Sequence, residues 1–376
     1  MARSNIVTGG TRYINGVIRN VRNIKRRELK PFYNALHEAD CIILAGEGRS
    51  QSALYIGLGQ MDKDVRTVVD IDFPGSNIRD AAPVLEKKYD KIALLVNSGS
   101  GETSTPKIMV RQLADYIERT KSDKFTINAL VSNTKSSIGQ IGERDYGHVV
   151  ELTGRDTKSE TTNGFLKHGI MNDVYELGSL LLFQKMKEAI NGNKDYKIVF
   201  RKIETESKVV GKIVNKFISS DIYEDAIDNL ETRSRITMGG VGPARHVAKM
   251  AAIRLQHVKR ALGDEAYLSG TFAPRPRAGD ILFLISLSGE TEPLLGWCKE
   301  QKKFGGHVYS IVGRESTLSK KSDSFTIEST PDTFYERAAF ALSPLPLHLV
   351  ERLYQRGFML PEYILEWLRV QHSVTE

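Results

Sequence analysis

The feature that most narrows the folds open to this chain is a short loop that occurs twice. Ser98-Gly-Ser100-Gly-Glu-Thr103 follows the apolar run Ile92–Val96, and Ser286-Leu-Ser288-Gly-Glu-Thr291 follows the apolar run Ile281–Ile285, with Thr103 and Thr291 standing 188 residues apart. A second pair lies upstream, Gly46-Glu-Gly48-Arg-Ser50 and Gly240-Val-Gly242-Pro-Ala244, in which Ser50 and Ala244 are 194 residues apart. Two copies at almost the same spacing point to duplication of one structural unit. Around each copy, short apolar runs bounded by Gly, Ser and Pro alternate with longer amphipathic stretches, the pattern of βαβ units and a parallel sheet.

Along the first copy this pattern predicts strands at Cys41–Ala45, Thr67–Val69, Ile92–Asn97, Asn128–Val131 and Val149–Glu151, with helices that include Gln51–Gln60, Thr105–Thr120 and Asn172–Ile190. The polar segment Asn191-Gly-Asn-Lys-Asp-Tyr196 reads as a linker. Beyond it the alternation restarts, with strands at Ile236–Met238, Ile281–Ser286, Val308–Val312 and Phe325–Ile327. The expected architecture is α/β: two tandem, doubly wound parallel-sheet domains at residues 1–192 and 198–376.

Composition removes other classes. With 40% hydrophobic and 26% charged residues the chain is globular rather than disordered or coiled coil. No run approaches the ~18 apolar residues of a membrane span, and Met-Ala-Arg-Ser-Asn at the start lacks the apolar core of a secretory signal. A cytoplasmic protein with no membrane partner is therefore expected. Cys41 and Cys298 are isolated and read as small buried hydrophobes, and the histidines form no metal-ligand spacing, so neither a disulfide nor a metal is expected. The net charge of +7 favours anionic partners. Its densest basic run, Lys25-Arg26-Arg27, comes with no base-reading signature, so nucleic acid is not expected.

The repeated loop has a chemistry of its own. A strand-to-helix turn at the carboxyl end of a parallel strand is where ligands bind in open α/β sheets. Its glycines let the backbone approach a ligand, its hydroxyls donate hydrogen bonds, and the helix start adds partial positive charge. Together these make a phosphate cradle. The loop lacks the lysine of a GxxxxGK[ST] sequence, and Gln51 stands where GxGxxG needs its last glycine. A phosphomonoester is favoured over ATP or NAD, and no cofactor is expected. For one copy alone, Ser, Gly and Thr would be equally at home as turn and capping residues.

These paired loops resemble those of the sugar isomerase (SIS) domain, and the resemblance covers the chain as two tandem, flavodoxin-like domains. The likeness extends to archaeal-type 6-phospho-3-hexuloisomerase and to the isomerase half of glucosamine-6-phosphate synthase. It implies a metal-free aldose–ketose isomerisation of a phosphorylated sugar through a cis-enediol, with Ser50, Ser98, Ser100 and Thr103 holding the phosphate. It implies Glu176, in Asp173-Val-Tyr-Glu176, as the base that moves the proton, and His372 or His168 as the group assisting ring opening. Without the resemblance, Glu176 reads as a surface helix residue, His372 as part of a frayed tail and His168 as a turn cap.

In the second domain Ser286, Ser288 and Thr291 remain. Ala244 replaces Ser50, Pro243 stiffens the loop, and Val350 falls at the position expected for Glu176, so this copy is expected to be degenerate or structural. The resemblance and the apolar stretch Phe340–Glu376 imply a homodimer or homotetramer. Two other functions remain open on the sequence: a non-catalytic phosphosugar-binding regulator and an amino-sugar-phosphate deaminase.

Overall fold

The computed structural model describes residues 14–154 and 173–360. It divides into two compact units, one formed by residues 16–154 with 174–205, the other by residues 14–15 and 173 with 206–360.

In the first unit five parallel strands, β1 (Cys41–Gly46), β2 (Asp64–Arg66), β3 (Ile92–Ser98), β4 (Phe125–Val131) and β5 (Gly147–Glu151), lie in the order β2-β1-β3-β4-β5. Every position of β3 is buried, as expected of a central parallel strand covered by helices on both faces. Side chains alternate between the faces. Cys41, Ile43, Ala45, Leu94 and Val96 join the helices Ile78–Lys88 and Ser104–Thr120 in one continuous core. The other face meets the helices Gly48–Leu58 and Val174–Asn191, the second of which reaches the sheet through Tyr175, whose hydroxyl bonds Leu130 O.

The second unit repeats this plan. Strands β6 (Ile236–Gly239), β7 (Ala266–Leu268), β8 (Ile281–Ser286), β9 (His307–Val312) and β10 (Asp323–Thr326) run parallel in the order β10-β9-β8-β6-β7. Read from the other edge, that is the order of the first sheet. In both, the strand order reverses between the first and third strands, which opens a crevice at their carboxyl ends. Both cysteines are buried, and burial pushes the Cys41 thiol up to about 12.

Three edge strands depart from the sequence-based assignments. The edge strand predicted at Thr67–Val69 lies at Asp64–Arg66. The Asp70 carboxylate accepts both the Thr67 N–H (2.6 Å) and the Thr67 hydroxyl (2.9 Å), and this turn takes the chain out of the sheet. The three-residue edge strand Ala266–Leu268 has no apolar run long enough to announce it. The last strand also begins earlier than Phe325, at Asp323, although Ile327 N–H still bonds Val312 O.

Candidate active site

In the pairing of β1 with β3, Gly46 lies opposite Asn97, so the loops that leave these strands start side by side. In the second loop, Ser98 Oγ accepts the Gly101 N–H (3.1 Å) and lies 3.0 Å from Thr103 Oγ1. Ser100 Oγ accepts the Glu102 N–H (3.2 Å). Thr103 opens the helix Ser104–Thr120, but its side chain makes no capping bond and the first turn carries no acidic residue. The three hydroxyls therefore converge beside a helix start whose N–H groups favour an anion. Gly101 has φ +69°, and a Cβ there would stand 1.9 Å from Ser136 Oγ, so only glycine closes this turn.

Glu102 points away from this cluster. Its carboxylate accepts the Ser137 N–H (2.6 Å) and hydroxyl (2.8 Å). Burial opposes its charge, but the Ser137 bonds and Lys107 hold its carboxyl below the ordinary range. Glu102 is a brace between the loop and the helix Ser137–Gly142.

The opposite wall comes from two helix starts. The first turn of Gly48–Leu58 carries Arg49 and Ser50, and that of Val174–Asn191 carries Glu176. Arg49 and Glu176 are 6% and 2% exposed, and Arg49 Nη1 lies 4.0 Å from Glu176 Oε2. Gly57 lets the two helices approach, since a Cβ there would stand 2.7 Å from the Phe183 Cβ. A buried chain of hydrogen bonds fixes the Glu176 turn to the sheet. Tyr175 OH donates toward Asn97 Oδ1 (2.8 Å) and Leu130 O (2.7 Å), while Asn97 Nδ2 donates to Ser50 O (2.9 Å) and Ser179 Oγ (3.1 Å). Ser179 Oγ in turn donates to Glu176 O (3.0 Å).

The second unit keeps the loop and loses this wall. Gly289 N–H donates to Ser286 Oγ (3.0 Å), Glu290 N–H to Ser288 Oγ (3.2 Å), and Ser286 Oγ lies 3.3 Å from Thr291 Oγ1. Gly289 has φ +66° and meets Ser316 as Gly101 meets Ser136, and Glu290 accepts the Thr317 N–H (2.7 Å) as Glu102 accepts that of Ser137. Pro243 and Ala244, however, replace Arg49 and Ser50, and Ile285 stands at the position of Asn97. The helix after the loop begins with Glu292, a carboxylate where the first unit has Ser104.

The counterpart of Glu176 is not Val350. Val350, reached through Ser343-Pro-Leu-Pro346, lies on the following helix, Leu345–Gln355; the second unit's connection after its last strand is shorter, and its helix Phe334–Leu342 opens Phe334-Tyr335-Glu336 against Val174-Tyr175-Glu176. Glu336 is fully buried, and Ala339 occupies the place of Ser179.

Of the residues proposed from the sequence, Ser50, Ser98, Ser100, Thr103 and Glu176 gather at the carboxyl ends of β1 and β3; His168 and His372 lie outside the described residues. Sequence reasoning missed Arg49, Asn97 and Ser179. Arg49 stood inside the quoted loop, yet its partner lies far along the chain. Asn97 is the better signal, a polar residue at the end of a wholly apolar strand. Among the described residues, no cluster of His, Cys, Asp or Glu is placed to hold a metal ion, and no helix is long and apolar enough to cross a membrane.

No known protein-family profile matches the chain. It is 33% identical over 105 residues to 3-hexulose-6-phosphate isomerase of Methanocaldococcus jannaschii, a match that covers 27% of this chain and 56% of that protein. It thus spans a little over half the length of that relative. It is 22% identical over 251 residues to an uncharacterised HTH-type transcriptional regulator of Thermotoga maritima, covering 64% of this chain and 87% of that one. Among solved structures it is similar to tagatose-6-phosphate ketose/aldose isomerase from Escherichia coli, with a TM-score of 0.61, 12% identity and 95% of each chain covered.

Proposed function

We infer from membership of the sugar isomerase (SIS) family, to which this chain belongs, that its first unit isomerises a phosphorylated sugar. The phosphate rests on Ser98, Ser100 and Thr103, with Ser50 alongside, at the open helix start. The Glu176 carboxylate takes a proton from the carbon next to the carbonyl. The C–H electrons form the enediol double bond as the carbonyl oxygen gains a proton; the proton held by Glu176 then goes to the former carbonyl carbon while the other enediol hydroxyl gives up its proton and becomes the new carbonyl. Arg49 offsets the carboxylate charge in a site with little water. The observation that carries this reading is the buried Arg49–Glu176 pair beside the phosphate loop. Ring opening is assigned to His372 or His168. Assembly into two or four copies and a cytoplasmic location accompany this reading, and analytical ultracentrifugation tests the first.

The deciding experiment is turnover of a panel of ketose and aldose 6-phosphates by the wild-type chain and by Glu176→Gln. The variant is expected to lose about 10³-fold in kcat with KM within a few-fold. Equal rates would refute the role of Glu176. The similarity to a transcriptional regulator favours a second reading, binding without catalysis, and tight sugar-phosphate binding with no turnover of any panel member would establish it. Ammonia release from an amino-sugar phosphate would point instead to deamination.

A further inference from the structure

One loop in each unit leaves an edge strand at its carboxyl end, residues 67–77 after β2 and residues 269–279 after β7. Each holds an apolar side chain out in water. Ile71 is fully exposed, with Val69 exposed beside it; Phe272 is 96% exposed, with Val241 exposed on the loop that follows the neighbouring strand β6. Single exposed apolar residues are ordinary on a protein surface. These two stand at the same place in both copies, and neither loop is slack. Around Ile71, Asp70 N–H bonds Thr67 O (3.1 Å), Phe73 N–H bonds Asp70 O (3.0 Å), and Phe73 enters the core of the first sheet. Around Phe272, Ala273 N–H bonds Gly270 O (3.0 Å), Arg245 Nη1 holds Ser269 O (2.7 Å) and Arg235 Nη2 holds Arg275 O (2.9 Å), while Pro274 and Pro276 fix two φ angles. A tip that is already ordered loses little entropy when it is covered.

The two tips are opposite in charge. Residues 67–77 hold two carboxylates, Asp70 and Asp72, and no basic side chain; residues 269–279 hold two guanidiniums, Arg275 and Arg277, and no acidic one. Beside each tip lies one ion of the other sign, divided between two partners. Arg66 Nε lies 2.9 Å from Asp64 Oδ1 and its Nη1 2.7 Å from Asp72 Oδ2, whereas Asp280 accepts Arg235 Nε (3.0 Å) and lies 3.8 Å from Arg277 Nη2. Carboxylates therefore stay in excess about Ile71 and guanidiniums about Phe272, and Asp72, Arg275 and Arg277 are exposed. Such surfaces repel their own kind and attract each other.

We propose that these tips are the two halves of one interface, and that each is covered by the opposite tip of a second copy of this chain: Ile71 with Asp70 and Asp72 of one copy seats against Phe272 with Arg275 and Arg277 of the other. This rests on the assembly that accompanies the isomerase reading, and not on the chemistry at Glu176. Sedimentation equilibrium of the wild-type chain, of Ile71→Arg, of Phe272→Asp and of the double variant tests it. Both side chains are exposed, so each variant is expected to melt like wild type. The wild-type chain is expected to associate, and more weakly as salt is raised. Either single substitution sets a charge against like charges across the interface and is expected to weaken association by about tenfold or more. The double variant sets the two new charges against each other and is expected to recover most of that loss. The proposal is overturned by a monomeric wild-type chain, which would leave the tips to a different partner, by either single variant associating like wild type, or by a double variant that associates no better than the singles. Turnover of the sugar-phosphate panel, read on the same samples, separates the two readings. Unchanged sedimentation of the variants with turnover present strikes the interface alone, and absent turnover with the expected sedimentation strikes the isomerase alone.

Discussion

Arg49 and Glu176 face each other where water scarcely reaches, and neither charge would be tolerable there alone. The serines and threonine of the loop were legible in the sequence because hydroxyls and glycines at a strand-to-helix turn have a local meaning. Arg49 was not, because its role depends on a residue brought to it by a helix much later in the chain. The structure puts the two helix starts together through Asn97 and Ser179, neither of which has a sequence signature of catalysis. If Arg49 offsets the carboxylate charge during proton transfer, Arg49→Met is expected to lower kcat about 10²-fold, and Arg49→Lys, which keeps the charge and loses the planar fork, by about tenfold. Steady-state kinetics with a thermal melt for each variant checks this. A variant that melts like wild type and turns over at the wild-type rate would remove Arg49 from the reaction.

At the scale of elements, the strands announced by uninterrupted apolar runs were legible, and the three-residue edge strands were misplaced or missed. Edge strands are short and pair on one side only, so turn chemistry decides where they stop, as Asp70 does after Arg66. Helix interiors carry a different hidden element, a buried lysine. Lys259, on the helix Pro243–Ala261, is inaccessible to solvent, and its Nζ donates to Leu230 O (3.0 Å) and Thr232 O (2.8 Å), tying that helix to the end of its neighbour. Burial pushes its pKa down from 10.5 to about 8, despite Asp264 and Asp280 nearby.

The sign of its effect on stability follows from linkage. Between about pH 8 and 10.5 the unfolded chain holds a proton on Lys259 that the folded chain has released, so stability attributable to this group rises with pH across that window. Relative to Lys259→Met, which does not titrate, the wild-type chain is expected to gain about 2 kcal/mol of stability between pH 8 and 9.5. Denaturant unfolding of both proteins at a series of pH values measures the difference. Parallel stability–pH curves would show that the lysine keeps its ordinary affinity for the proton inside the fold.

For the whole molecule, duplication was legible from two loops, but the divergence of the copies was only half legible. Ala244 for Ser50 could be read directly. The match of Glu176 to Glu336 could not, because the shortened connection after β10 defeats counting, and a buried carboxylate survives where Val350 had been expected. What remains of the second site is a loop whose hydrogen bonds repeat the first, facing a helix start with a carboxylate at Glu292 and no arginine at the place of Arg49. A phosphate meets repulsion there instead of a counter-charge. Inside the unit, Gly289 and Glu290 close the turn onto Ser316 and Thr317. On the proposed reading, catalysis and sugar-phosphate binding belong to one unit of each chain. Calorimetric titration of the Glu176→Gln chain with a sugar phosphate that the wild type turns over is expected to saturate at one ligand per chain. Glu336→Gln is expected to leave turnover close to that of wild type in a stably folded chain, because Glu336 lies outside the unit that holds Glu176. Two equivalent sites per chain, or a loss of turnover in a stably folded Glu336→Gln chain, would mean that the second copy still takes part in the reaction despite the missing arginine.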